Sequence, residues 1–268
     1  MSNWMPRVLA QQEDRLTVLF REGEGRPIVV KMSPKADEFG REVRARTLLA
    51  KAGMPVLLPS GHQRIAPSTL TLPWIPGDAL SERHPRAVCE RVGALLARVH
   101  AVRTDSNFGG NATWSQWMAG WSRHALAWWR AAPPGEDVAN VGFERALADL
   151  GPSMDAACDG AILFDGRPDH FIVGADEQVS MIDVEELRTG DPAMDVAVLG
   201  VWIPQAVSAI VAGFIAAGGR TGELFDERVR YYTILRTLAA AEWHRDHLND
   251  DRTSKHLLDT LNATRWWT

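Results

Sequence analysis

The chain has 268 residues, 46% of them hydrophobic and 24% charged, with a formal net charge of −5. That balance is globular and supports a sizeable core, which excludes a fibrous or wholly disordered protein. No clustered basic run marks a nucleic-acid binder, and no apolar stretch approaches the length of a membrane span.

Taken in chain order, Met1 to Arg7 show no apolar run ahead of a small-residue cleavage site, so a cytoplasmic protein is expected. Arg7 to Gln11 and Leu16 to Arg21 read as short alternating strands around the polar turn Gln12-Glu13-Asp14. Glu22-Gly23-Glu24-Gly25 is a turn signal, and Pro27 to Met32 is a β-branched run. Together they predict antiparallel hairpins. From Ala36 to Ala52 the apolar spacing becomes helical, with Gly53 as its stop. Leu70 to Ile75 read as a further strand, ending at the turn signal Pro76-Gly77.

The composition changes there. The expected architecture is α+β and two-lobed: residues 1–76 as a β-rich N-terminal lobe with one helix, and residues 77–268 as a mostly helical C-terminal lobe. Helices are predicted over Arg86 to Val102, Trp114 to Trp129, Gln205 to Ala217 and Asp226 to Leu248. One β-rich island lies between them, at Ala161 to Phe164, Phe171 to Val173 and Val179 to Val184. Two cysteines, Cys89 and Cys158, lack CxxC spacing and read as reduced structural thiols. The 11 tryptophans could serve a core or an aromatic-lined pocket.

The island carries acids where strands end. Asp165-Gly166-Arg167-Pro168-Asp169-His170 separates two apolar runs, a further strand ends at Ile182-Asp183-Val184-Glu185, and Gly190-Asp191-Pro192-Ala193-Met194-Asp195 follows. Burying an unpaired carboxylate is costly, so such acids persist where they hold a metal or accept a proton. Phosphoryl transfer needs that set: one carboxylate to take the proton of the attacking hydroxyl, another to hold Mg²⁺, and a lysine with its acidic partner for the phosphates. Lysine occurs only at positions 31, 35, 51 and 255. Lys31 ends an apolar strand, and Glu42 lies on the helix that follows.

This order of Lys31, Glu42, Asp165, Asp183 and the Gly190-Asp191-Pro192…Asp195 tail resembles the aminoglycoside phosphotransferase and choline kinase family of protein-kinase-like small-molecule kinases. The resemblance implies Asp165 as catalytic base, Asp183 as Mg²⁺ ligand, Lys31 as the phosphate-binding lysine and Glu42 as its ion-pair partner. It implies that Leu72, Pro73, Trp74 and Ile75 form the hinge that binds the purine of ATP or GTP. Glu185, Asp191 and Asp195 take the place of loop supports, with Asp195 anchoring backbone amides. In a second reading Glu185, Glu242 and Asp246 contact a cationic substrate, although acids at the spacing of Glu242 and Asp246 also suit a solvated helix face.

The chain departs from the family pattern at the turn Gln12-Glu13-Asp14, which lacks glycines to cover the phosphates, and in the catalytic loop, where Leu163-Phe164 replace His-Gly and His170 replaces asparagine. Phe164 stands where the family's loop has glycine, and reads as a packing residue. His170 occupies the place of a metal-binding asparagine, although Mg²⁺ prefers hard oxygen ligands. Three readings stay open for His170 beside a purely structural one: a poorer metal ligand, a donor to phosphate, or a site in which Asp183 holds metal alone.

The implied function is an ATP- or GTP-dependent kinase for a hydroxyl of a small molecule, with Mg²⁺ as cofactor and an antibiotic (aminoglycoside, cationic peptide or macrolide) as the first substrate guess. A biosynthetic or metabolic kinase for a sugar, amino alcohol or nucleoside, and a catalytically inactive binding module of the same shape, are the alternatives. Trp114, Trp117, Trp121, Trp128 and Trp129 recur at helical spacing, which suits a core stripe or in part a pocket wall.

Overall fold

The computed structural model describes residues 6–12, 14–21, 25–104, 112–131 and 140–263. The turn expected around Glu22, Gly23 and Glu24, the middle of the turn at Glu13, and Met1 to Met5 lie outside the described residues. The chain divides into two compact units, residues 1–84 with 168–187 and residues 85–167 with 188–268.

The first unit begins with β1 (Arg7–Gln12), β2 (Arg15–Arg21), β3 (Pro27–Ser33), α1 (Gly40–Lys51), β4 (Gly61–Gln63), β5 (Ser68–Pro73) and β6 (Asp78–Ala79). The chain then supplies the second unit with α2 (Arg86–His100), α3 (Trp114–Ala131), α4 (Asn140–Ala157) and β7 (Gly160–Ile162). It returns to the first for a 3-10 turn at Pro168–His170, β8 (Phe171–Val173) and β9 (Val179–Met181). It completes the second with β10 (Arg188–Gly190), α5 (Ala193–Trp202), α6 (Val207–Ala216), α7 (Phe225–Asp246) and α8 (Asp251–Ala263).

In the first unit an antiparallel sheet runs in the order β1-β2-β3-β5-β4, and a smaller one in the order β6-β8-β9. Lys31 sits mid-ladder, opposite Thr17 on β2 and Leu70 on β5. Phe39, Leu70 and Leu72 form a core cluster, with Val29 and Val43 packed against it. Phe39 and Val43 therefore pack the start of α1 against the sheet.

In the second unit β7 and β10 pair antiparallel among the helices. The α2 and α6 helices approach so closely that a Cβ at Gly93 would strike the Ile210 carbonyl, and one at Gly213 the Glu90 carbonyl. Glycine is required at both points for contact between the backbones. Among the described residues no helix is long and apolar enough to cross a membrane. Cys89 and Cys158 are free thiols.

The structure differs from expectation in several particulars. The α1 helix starts at Gly40 rather than Ala36, because Asp37 takes a left-handed φ of 51° and Ala36 to Phe39 form turns. The β5 strand stops at Pro73, short of Trp74 and Ile75. The compact units do not follow a single cut after Pro76: β6 pairs with β8 and Val56 bridges Met181, which binds residues 168–187 to the N-terminal segment. Three helices were not anticipated. Breakers Gly142, Gly151 and Pro152 obscure α4, α5 is apolar on every side and so has no stripe, and α8 is short and polar.

Candidate active site

In the first unit, the site is built on β3, the first turn of α1 and the turn after β9. Glu42 is wholly buried, and its carboxylate is fully used. Oε1 accepts Nε and Nη2 of Arg46, one helical turn on, at 2.9 and 2.7 Å, while Oε2 accepts Lys31 Nζ at 2.8 Å. Lys31 also donates to Asp183 Oδ1 at 2.9 Å. One lysine thus bridges a buried and a more exposed carboxylate. Burial pushes the Lys31 ammonium down, but Glu42 and Asp183 outweigh it and the net direction is up.

Asp183 takes a left-handed φ of 52°, a strained geometry for a residue with a side chain that clusters at functional sites. Burial pushes its carboxyl up, yet Lys31 and His170 bring it down to about 2. It is ionised at any physiological pH. Glu185 accepts Arg15 at 2.7 Å, and Arg15 also holds Glu38. Ligand oxygens of Glu42, Asp183 and Glu185 lie within 4.8 Å of one another. Glu42 has both oxygens taken by its two cations, whereas Asp183 and Glu185 are each paired through one oxygen, Oδ1 and Oε1, and they are left as the hard-oxygen pair. That donor set fits Mg²⁺. His170 is buried, with Nε2 3.8 Å from Asp183 Oδ2, and an imidazole is the less suitable ligand for such an ion.

In the second unit, Asp195 sits fully buried near the start of α5. It accepts the backbone N–H groups of Leu163 and Phe164 at 2.8 Å each, and His100 Nε2 of α2 lies 2.9 Å away. This carboxylate ties down the backbone immediately ahead of Asp165. Phe164 has a φ of 65°, in the region glycine adopts freely. Its ring packs among Trp114, Trp117 and Trp121 at centroid distances of 6.4, 5.4 and 5.6 Å. Packing therefore holds a backbone conformation that alone would cost about 1–2 kcal/mol.

Asp165 accepts Arg236 Nη2 at 2.6 Å, with Arg167 Nε at 3.7 Å. Burial pushes the Arg236 guanidinium down against the pull of Asp165; it remains a cation, as arginine does in proteins. Asp191 lies deeper. It accepts Arg228 at 2.7 Å, Tyr232 Oη at 2.8 Å and the Ala193 N–H at 3.0 Å, while Trp114 Nε1 donates to the Tyr232 oxygen at 2.7 Å. This network joins α3, α5 and α7.

The structure brings Lys31, Glu42, Asp183, Glu185 and His170 together in the first unit, and places Asp165, Asp191 and Asp195 in the second. The Leu72 side chain is spent in the core, Pro73 has no N–H, and the Trp74 N–H is donated to the Pro27 carbonyl. Glu242 and Asp246 bind α7 to α3: Glu242 lies 2.8 Å from His124 Nε2, and Asp246 accepts Trp128 Nε1 at 2.7 Å. The tryptophans divide, Trp114 and Trp129 being buried and Trp117, Trp121 and Trp128 half-buried.

Sequence reading missed the parts played by Arg15, Arg46, Arg228 and Arg236. A signal existed for the last two. Arg228, Tyr232 and Arg236 are spaced four apart, so polar heads line one stripe of a helix whose neighbouring positions are buried. Arg46 likewise stands four residues after Glu42.

A sheet unit bearing the Lys31–Glu42–Asp183 set and a helical unit bearing the Asp165 loop is the make-up of a small-molecule kinase of the protein-kinase-like type. The chain belongs to the phosphotransferase enzyme family, whose model matches residues 6–232. No curated protein matches its sequence. Among solved structures it is similar to the GDP and kanamycin complex of APH(2")-IIia, with a TM-score of 0.73 and 14% identity over 99% of this chain and 95% of that one. It is similar to choline kinase LicA from Streptococcus pneumoniae, with a TM-score of 0.66 and 15% identity over 97% and 94%. A third similar structure is macrolide 2'-phosphotransferase MphH from Brachybacterium faecium, with a TM-score of 0.63 and 18% identity over 94% and 91%. At these identities the likeness establishes the shared fold.

Proposed function

We propose that this phosphotransferase moves the γ-phosphoryl group of ATP or GTP onto a hydroxyl of a small organic molecule. The observation that carries the reading is Lys31 held between Glu42 and Asp183. A buried acid positions the cation, and Lys31 in turn reaches toward the phosphates. The GDP-bound relative supports a nucleotide as donor. Asp183 and Glu185 would hold Mg²⁺, which when bound neutralises charge on the phosphate oxygens.

Asp165 orients the acceptor hydroxyl and takes its proton as the oxygen bonds to the γ-phosphorus and the bond to the nucleoside diphosphate breaks. Arg236 holds the Asp165 carboxylate in place, and Asp195 fixes the loop backbone ahead of it. The backbone of residues 73–75 carries recognition of the purine edge, since Leu72 is paired with Val29 in the sheet and the Trp74 N–H is already donated.

For the acceptor, the relatives named for kanamycin and macrolides support an antibiotic, hence resistance by phosphorylation, and the choline kinase supports a metabolic alcohol. The test is a mass-spectrometric screen with Mg²⁺, ATP and GTP against hydroxyl-bearing antibiotics and metabolites. The expected result is one acceptor gaining a single phosphoryl group. No gain across the panel, with no nucleotide consumed, would leave a kinase-shaped binding module.

A further inference from the structure

Two ion-pair chains run side by side in the first unit. In one, Lys31 joins Glu42 to Asp183 at 2.8 and 2.9 Å. In the other, Arg15 joins Glu38 to Glu185. Its Nε and Nη2 reach Glu38 Oε1 at 2.8 and 2.7 Å, and its Nη1 donates to Glu185 Oε1 at 2.7 Å.

The parallel follows from the fold. Thr17 on β2 stands opposite Lys31 on β3, and Arg15 precedes Thr17 by two residues, so both cations rise from one face of the sheet. Glu38 and Glu42 are four residues apart, one in the turn ahead of α1 and the other in its first turn. Asp183 and Glu185 flank the buried Val184. Each chain therefore takes one acid from the α1 side, one cation from the sheet and one acid from the turn after β9.

Each cation takes one oxygen of its turn acid, Oδ1 of Asp183 or Oε1 of Glu185, and leaves Oδ2 and Oε2 outside these bonds. A carboxylate fixed through one oxygen presents the other at a set position, which is how outer partners orient metal ligands. Glu38 balances the Arg15 charge, so the guanidinium holds Glu185 with little repulsion toward a dication bound beside it.

We propose that Arg15 is a positioning residue of the metal site: clamped by Glu38, it aims Glu185 so that this carboxylate joins Asp183 as a second ligand to a divalent cation. This rests on the kinase reading for the role of the ion, and goes beyond it in assigning the residues that aim the second ligand.

Mn²⁺ is the probe, a hard ion suited to carboxylates and counted by electron paramagnetic resonance. It is titrated into the full chain with and without a non-hydrolysable ATP analogue. Arg15→Gln should weaken Mn²⁺ binding by about tenfold or more, the usual scale for losing an outer partner. Arg15→Lys should recover part of that loss, because a charged donor remains. Glu185→Gln should weaken Mn²⁺ by itself, and adding Arg15→Gln to it should change little, since Arg15 acts through that carboxylate.

If Arg15→Gln does not fold, Glu38→Gln is the second variant. It keeps Arg15 and Glu185 but loosens the clamp, and a smaller loss of Mn²⁺ affinity is expected. Affinity that is unchanged or raised in the variant that folds, additive losses in the double variant, or a wild-type chain that takes up no Mn²⁺ in either condition overturns the proposal. Mn²⁺ binding that depends on Arg15, with no nucleotide consumed and no acceptor phosphorylated, would sink the kinase reading and leave the positioning role. Phosphoryl transfer beside Mn²⁺ affinity that is indifferent to Arg15 would do the reverse.

Discussion

Lys31 and Asp183 meet at 2.9 Å although 152 residues separate them in sequence. The contact joins the middle of the main sheet to the turn after β9, and it explains why Asp183 remains ionised although it is partly desolvated. Glu42 holds the same lysine from the other side while also pairing with Arg46. Lys31, Arg46, Glu42 and Asp183 form one network, so changes within it will not be additive.

Glu42→Ala should be among the most destabilising changes in the first unit. It strips the wholly buried Arg46 of its charge partner, leaving only the Leu57 carbonyl for its guanidinium. Breaking a buried pair by removing one member costs about 3–5 kcal/mol. Urea unfolding should show that loss in the midpoint. A change below about 1 kcal/mol would mean that water enters and solvates Arg46.

Acid stability should carry the signature of Asp183. Its folded pKa of about 2 lies below the ordinary 3.8. The folded chain therefore takes up this proton later than the unfolded chain does. The contribution is complete above 3.8 and is lost as pH falls toward about 2. In metal-free buffer the urea midpoint of Asp183→Asn should fall less steeply through that window than that of wild type. Parallel acid limbs would contradict the assignment.

Asp165→Ala should lower turnover by about two to four orders of magnitude, the usual worth of a positioned general base, while nucleotide affinity by calorimetry stays close to wild type. Loss of both together would mark Asp165 as structural, a partner for Arg236 rather than a base.

Asp195→Ala orphans two N–H groups, the buried one of Leu163 and the part-buried one of Phe164. The expected cost is about 2–5 kcal/mol, with a fall in turnover because the Asp165 loop loses its anchor. Asp195→Asn keeps an acceptor oxygen and should recover part of each. Turnover that is indifferent to both variants would separate this anchor from the chemistry.

Gly93→Ala should cost about 1–3 kcal/mol or more, since the added methyl enters the Ile210 carbonyl and must force α2 and α6 apart. Thermal unfolding reads this directly. Gly120, with open space around it, is the matched control.

Much of this was legible in residue order. The alternating runs gave strands where β1, β2 and β3 stand, and the acids after short apolar runs marked the loop and turn at Asp165 and Asp183. Phe164 stood out as a departure from glycine, but only the backbone angle shows the left-handed conformation and only the packing shows what holds it. The α5 helix escaped because an element buried on every side has no periodic pattern to read. The polar partners of the site escaped for a different reason: Arg236 meets Asp165 across 71 positions and His100 meets Asp195 across 95, and no local spacing encodes such pairs.

The sequence by itself determined the periodic elements, the family resemblance and the candidate acids, because short-range periodicity and motif order are properties of neighbouring residues. The tertiary structure decided which charges remain. A carboxylate read as a substrate contact, Glu242 or Asp246, is found beside a histidine or a tryptophan, while Arg236, which no motif marks, is found on Asp165. Charge acts through space over a few ångströms, so the sign of a site is set by what folding brings to that distance.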